Sequence, residues 1–129
     1  MLSVAQRFSP NQCQRPIIRF DLSSIPPGAI INTATLFLYY YNYYVNGSYG
    51  EPPTGKTIYA YKLTRTDWEE LTSCWNRYKT GSNWTTAGGD FVTSNPSGAA
   101  KVVPGSFGWM DWDVKAILED AITHSIDLN

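Results

Sequence analysis

Apolar and polar residues alternate with a period of two along much of the chain, and take a helical period at one place only. The strongest alternation runs from Thr33 to Val45. Ala34, Leu36, Leu38 and Tyr40 fall on one face, and Thr35, Phe37, Tyr39 and Tyr41 on the other. Successive strand residues point to opposite sides of a sheet, so this segment predicts a strand. The first set reads as a core face. The second is unusual, because a solvated face carries polar residues rather than a row of aromatics. Lys56 to Thr64 repeats the pattern, with Ile58, Ala60 and Lys62 against Tyr59, Tyr61 and Leu63. Asn46 to Gly55, between them, is dense in Asn, Gly and Pro and predicts a loop. The two strands are expected to pair as antiparallel neighbours across it.

Weaker signals fill the rest. Pro16 to Asp21 predicts a short strand that stops at Pro26-Pro27-Gly28. Thr66 or Asp67 is placed to cap a short helical turn through Glu70, and Leu71 to Asn76 predicts a brief strand. Arg77 to Gly105 is interrupted by Gly81, Gly88, Gly89, Gly98, Pro96 and Pro104. It predicts long irregular loops around Asp90-Phe91-Val92, and loops of that length in a compact domain usually carry function. Gly108 to Trp112 is another strand candidate. The helical period begins after Asp113, with Val114, Ile117, Leu118, Ala121 and Ile122 on one stripe and Asp113 as N-cap. A helix over Val114 to Thr123 is only about 15 Å long. Many short strands, Gly/Pro-rich connections and one short C-terminal helix predict an all-β fold, an antiparallel β-sandwich formed as one domain over 1–129.

Composition narrows the function classes. The 129 residues carry ten Lys+Arg against eleven Asp+Glu, a net charge of −1. Nucleic-acid binding expects a clustered basic excess, so no nucleic-acid partner is expected. No apolar run approaches the roughly 20 residues that span a bilayer, and no membrane partner is expected. Charged residues are 16% and aromatics 15%, including nine Tyr and five Trp, which rules out a disordered chain. Cys13 and Cys74 allow either a disulfide or two separate thiols, and with a single His there is no zinc-site spacing. The sequons at Asn46 and Asn83 and the Ser/Thr/Asn/Gly/Tyr-rich composition point to an extracellular or cell-surface location.

Phe37, Tyr39, Tyr41 and Tyr43 are the main ligand-binding candidates. Sugar rings pack their C–H faces on aromatic planes, and residues two apart on a strand stand about 6.8 Å apart, a match to successive sugars. The competing reading buries this strand on both faces. Trp84, in a Gly/Ser/Asn-rich loop, is a second stacking candidate, whereas Trp68, Trp75, Trp109 and Trp112 read as core anchors. Arg77 and Lys79, with Arg19, Lys62 and Arg65, are candidates to meet the uronate carboxylates of an acidic polysaccharide, with solvated surface side chains as the competing reading. Asp67, Glu69, Asp90 and Asp111 are the candidate oxygen ligands of a structural calcium, without EF-hand spacing, and no other cofactor is expected. Glycoside hydrolysis needs a carboxylate pair. Glu69 and Asp90 are only nominal candidates, and His124 sits near the chain end. The expectation is therefore no catalytic activity, with part of a polysaccharide-degrading enzyme as the weaker alternative.

Three blocks carry a family resemblance. Arg19-Phe20-Asp21-Leu22-Ser23-Ser24-Ile25-Pro26-Pro27-Gly28-Ala29 with Ala34-Thr35-Leu36-Phe37-Leu38-Tyr39 resembles the opening strands of the DNRLRE domain family. Asp67-Trp68-Glu69 through Cys74-Trp75-Asn76, then Trp84 through Gly88-Gly89-Asp90, resembles its middle stretch. Trp112-Asp113-Val114 resembles its block before the helix. The family has Thr where this chain has Cys74. It is similar to jelly-roll carbohydrate-binding modules and includes disaggregatase-related and alginate-binding domains. The resemblance implies a jelly-roll-type sandwich, an extracellular setting and a polysaccharide ligand. It also implies further strands beyond both ends, so the chain is expected to be a fragment of a larger protein that lacks terminal strands. Open sheet edges of that kind invite self-association by strand exchange, as a structural surface subunit would use.

Overall fold

The computed structural model describes residues 2, 4, 13–43 and 52–126. The sequon at Asn46, the loop residues up to Glu51 and the predicted strand end at Val45 lie outside them. Among the described residues six strands and one helix follow in chain order: β1 (Thr35–Tyr40), β2 (Thr57–Ala60), β3 (Arg77–Lys79), β4 (Ser82–Asn83), β5 (Ala99–Val102), β6 (Gly108–Asp113) and α1 (Lys115–Ile126). The protein is all-β with antiparallel strands and one C-terminal helix, as the alternating pattern predicts. The strands form three two-stranded ladders, β1–β6, β2–β5 and β3–β4. The chain divides into two compact units, each made from two stretches. One comprises Pro27–Lys62 with Val92–Asn129, the other Met1–Pro26 with Leu63–Phe91.

The first unit holds β1–β6, β2–β5 and α1. Its core is Trp112, Met110 and Val103, packed by Leu36, Leu38, Tyr40, Ile58, Ala60, Ala99 and Val114. All but Val103 and Val114, which lie just past the ends of β5 and β6, are inward positions of the period-two pattern on the four strands. The expected pairing of β1 with β2 is not observed: β1 pairs with β6 and β2 with β5. Both β1 and β2 bring apolar faces to the same tryptophan-centred cluster, and separate ladders let both pack on it. The connection between them is too long to impose a hairpin. The Trp112 indole N–H donates to the Ile58 carbonyl at 3.0 Å and so ties β6 to β2. Helix α1 begins where predicted. Asp113 Oδ1 accepts the Lys115 backbone N–H at 3.0 Å, a capping bond that satisfies a free helical donor. An ion pair of Lys62 with Asp120 fastens the helix to the segment after β2.

The second unit has a different construction. Among its described residues the buried aromatics are Tyr78 and Trp84, with ring centroids 5.5 Å apart. Arginines lie over several aromatics: Arg19 is 4.4 Å from the Trp68 ring centroid, Arg65 3.9 Å from Tyr78, and Arg15 5.0 Å from Trp75. The β3–β4 hairpin turns at Thr80-Gly81, with Gly81 at φ 76°, a backbone conformation that glycine adopts without Cβ strain. That hairpin falls where irregular loop was expected. The strand predicted over Leu71 to Asn76 is instead a turn, closed by Ser73 N–H on the Glu69 carbonyl (2.9 Å) and by Thr72 Oγ1 on Glu69 Oε2 (2.7 Å). The helical turn expected at Thr66 to Glu70 is likewise replaced by this later turn. Pro16 to Asp21 joins no ladder. Arg19 reaches the carbonyls of Thr66 and Trp68 instead, and strand propensity without a ladder partner makes no strand.

Candidate functional site

The outward face of β1–β6 is the candidate site. Alternation on β1 turns Leu36, Leu38 and Tyr40 inward, so Phe37, Tyr39 and the following Tyr41 must face out. They are 58%, 53% and 54% exposed. On β6 the same rule turns Met110 and Trp112 inward and leaves Trp109, Asp111 and Asp113 outside. The register sets Tyr39 opposite Trp109, Phe37 opposite Asp111 and Thr35 opposite Asp113. Tyr39 and Trp109 meet edge to face at 5.3 Å, a geometry that adds about 0.5–1.5 kcal/mol beyond area burial and holds each ring in place. The face therefore passes from a pair of rings, to a ring beside a carboxylate, to a hydroxyl beside a carboxylate. At the polar end it opens into a shallow cleft lined by Asn32, Thr33, Ala34, Thr35, Asp111, Asp113 and Lys115. Flat apolar planes next to hydroxyl-binding groups can stack a pyranose ring and hold its edge.

Asp111 Oδ1 accepts the Lys101 ammonium at 2.6 Å. That bond, with the charge of Lys101, holds the Asp111 carboxyl below the ordinary aspartate range. Tyr43 leaves the row. It is exposed, but its ring meets Phe107 at 6.2 Å, and Phe107 also meets the inward Tyr40 at 5.0 Å. The strand ends at Tyr40, so strict alternation does not extend to Tyr43.

Trp84 is corrected from a stacking candidate to a core residue. It is 6% exposed, packs on Tyr78, and donates its indole N–H to the Cys74 carbonyl at 2.9 Å. The Gly-rich segment after it is held by its own contacts: Asp90 accepts the backbone N–H groups of Thr85 and Thr86 at 2.8 and 2.7 Å, and Gly88 N–H donates to the Trp75 carbonyl at 2.7 Å. Gly88 has φ 93°, and a Cβ there would stand 2.8 Å from the Trp75 ring. Trp109, read from sequence as a core anchor, is 68% exposed and is the residue missed. Its signal was available: Trp109 and Trp112 are three apart, so on a strand they face opposite ways.

Arg77 and Lys79 lie on β3, in the other unit from the ring face. Arg77 donates to the Thr72 carbonyl at 3.1 Å, and Lys79 pairs with Asp67 at 3.2 Å. Asp67 also takes two bonds from Arg65, at 3.0 and 3.2 Å. The calcium candidates are not gathered. Asp67 is bound to cations, Asp90 to amides, Asp111 to Lys101 and Glu69 to Thr72; among the described residues no three His, Cys, Asp or Glu side chains are placed to share a metal. Cys13 and Cys74 are free thiols.

The Asp67 cluster sets a pH dependence. The Arg65 hydrogen bonds, then Lys79, lower the Asp67 carboxyl to about 2. The folded chain then binds fewer protons than the unfolded chain between pH about 4 and about 2, so stability rises with pH across that window and is lost on acidification through it. The expected result is a fall in urea midpoint between pH 5 and pH 2.5 that is smaller in Asp67→Asn. An equal fall in the variant would show that other carboxylates carry the effect.

A family model described as disaggregatase related repeat domain matches residues 2–115. No curated protein and no solved structure gives a match.

Proposed function

Because the chain belongs to the disaggregatase related repeat domain family, we propose that it is a non-catalytic polysaccharide-binding module of a secreted or cell-surface protein. The single observation that carries this reading is the exposed row of Phe37, Tyr39 and Tyr41 with Trp109 beside it. Aromatics of this size in water favour burial, and rings kept exposed along one strand have use as a contact surface. Stacking with a few hydrogen bonds gives weak affinity per site, micromolar to millimolar, which suits a module that acts in repeated copies. The finer resemblance to DNRLRE domains belongs to this proposal, as does the jelly-roll-type sandwich that it implies. The acids once considered for hydrolysis, Glu69 and Asp90, are engaged by Thr72 and by the Thr85 and Thr86 amides.

Affinity electrophoresis through gels containing soluble polysaccharides tests the reading, with retardation by at least one of them as the expected result. Release of reducing or unsaturated ends from a retarding polysaccharide would overturn the non-catalytic part. Growth in size with concentration, without retardation, would favour an assembling surface subunit. The two-stranded ladders of the described residues would offer such a subunit edges for pairing.

A further inference from the structure

Resting on the binding reading, we infer that the outward face of β2–β5 is a second sugar-stacking surface, so that the ring-bearing unit holds two stretches of polysaccharide rather than one. The alternation that exposes the β1 row recurs on β2. Ile58 and Ala60 pack on the Trp112 cluster, and Tyr59 turns away from it, with Tyr61 just beyond the strand end. Both rings reach water, Tyr59 at 53% and Tyr61 at 39% exposure. They lie nearly parallel, with centroids 5.8 Å apart and planes 19° apart. The surface repeats the construction of the β1 row: rings at i and i+2 on the outward side of a ladder whose inward side feeds the same core. The Trp112 N–H bond to the Ile58 carbonyl, next to Tyr59, holds this strand in place at 3.0 Å.

The strand opposite makes room for the rings. The β2–β5 register sets Ala100 across from Tyr59, and its next step sets Gly98 across from Tyr61. A Cβ on Gly98 would stand 2.3 Å from Tyr61 Cε1 and 2.7 Å from Cδ1 and Cζ, so the ring rests directly on the Gly98 backbone. Gly98 lies outside the left-handed region that Gly81 and Gly88 occupy. Its backbone therefore does not call for glycine, and the ring above it does. A ring held before the ligand arrives loses less freedom on binding. The other outward pair, Thr57 opposite Val102, adds a hydroxyl and an exposed apolar side chain, both uncharged. Tyrosines combine flat apolar area with a hydroxyl at low entropic cost, which suits the C–H faces and hydroxyls of a chain of pyranose rings. The two ring surfaces leave one core on separate ladders. Once one is occupied, the other meets polysaccharide at a high effective concentration, and the unit can bridge chains as well as hold them.

The test runs the full chain, Tyr59→Ala, Tyr61→Ala and Gly98→Ala through affinity gels containing alginate, polygalacturonate, xylan or glycol chitin, with urea midpoints alongside. The expected result is retardation by at least one of the four, with affinity at least tenfold lower in each tyrosine variant and the urea midpoint retained. Gly98→Ala keeps both rings but displaces Tyr61, and should lose at least threefold. Mixed with the retarding polysaccharide in solution, the full chain should raise light scattering by bridging while its own size stays constant with concentration. Tyr59→Ala and Tyr39→Ala should each abolish that rise. Retardation and bridging unchanged in Tyr59→Ala and Tyr61→Ala would overturn the second surface and leave the binding reading intact. Unfolding of both tyrosine variants would make these rings structural and overturn it as well. Weaker retardation in these variants without bridging by the full chain would show one continuous site and overturn the separate second one. Growth of the full chain alone with concentration, abolished by Tyr59→Ala while retardation persists, would assign this face to a second copy and overturn the inference. Retardation by none of the four would overturn both the inference and the reading beneath it.

Discussion

Replacing Tyr39 or Trp109 with alanine should cut polysaccharide binding at least tenfold while the fold persists. Each ring is more than half exposed, and the two brace one another across the β1–β6 ladder. Removing one leaves its partner free to rotate away from the plane that a sugar needs, so either substitution damages the surface as a whole. A tenfold loss corresponds to about 1.4 kcal/mol, within reach of one stacked ring. The stability cost is the edge-to-face contact, about 0.5–1.5 kcal/mol, since neither ring belongs to the core. Retardation in affinity gels reads the first quantity and urea denaturation the second. Persistent retardation in both variants would remove this face as the binding surface. Loss of folding in both would make them structural.

Trp112→Ala should have the opposite signature. Trp112 is 4% exposed at the centre of the cluster and donates its N–H to Ile58. Truncation leaves a cavity and removes the indole bond to that carbonyl, for an expected loss of about 3–5 kcal/mol. That is a large fraction of the total stability of a domain, about 5–15 kcal/mol. The variant should lose its near-ultraviolet circular dichroism and unfold at far lower urea. Trp112→Phe keeps most of the volume but not the donor, and should fall between, by about 0.5–1.5 kcal/mol for the lost hydrogen bond. A shift under 1 kcal/mol for the alanine variant would contradict the placement of Trp112 at the centre of the core.

The contrast between Trp109 and Trp112 shows what was legible before any coordinates. Period-two alternation is local, so the inward faces of β1 and β2, the aromatic row on the opposite face of β1 and the capped helix after Asp113 could be read directly, but not whether that row met solvent. Composition sees only that a tryptophan is large and apolar, and that rule assigned Trp109 to the core. Strand partners are non-local. Nothing in the residues near Tyr40 or Thr57 states that β6 and β5 will be their neighbours. The second unit was the least legible, because its packing rests on Arg15, Arg19 and Arg65 reaching aromatics by side chains rather than on a periodic apolar stripe. Its glycines marked turns correctly but not the short β3–β4 ladder between them. Trp84 misled for a related reason: a Gly/Ser/Asn-rich neighbourhood suggests exposure, yet Tyr78 and the Cys74 carbonyl enclose it.

Residues 63–91 depart from the ring-bearing unit after Lys62 and rejoin it at Val92, where the Val92 N–H donates to the Lys62 carbonyl at 2.8 Å. The two backbone crossings are thus held side by side, and the stretch between them leaves and returns at adjacent points. Lengthening such a stretch costs little, about 0.6 kcal/mol for each doubling of a flexible loop. A flexible insertion at the exposed Thr80-Gly81 turn therefore leaves both crossings, and the strand register beneath the aromatic row, in place.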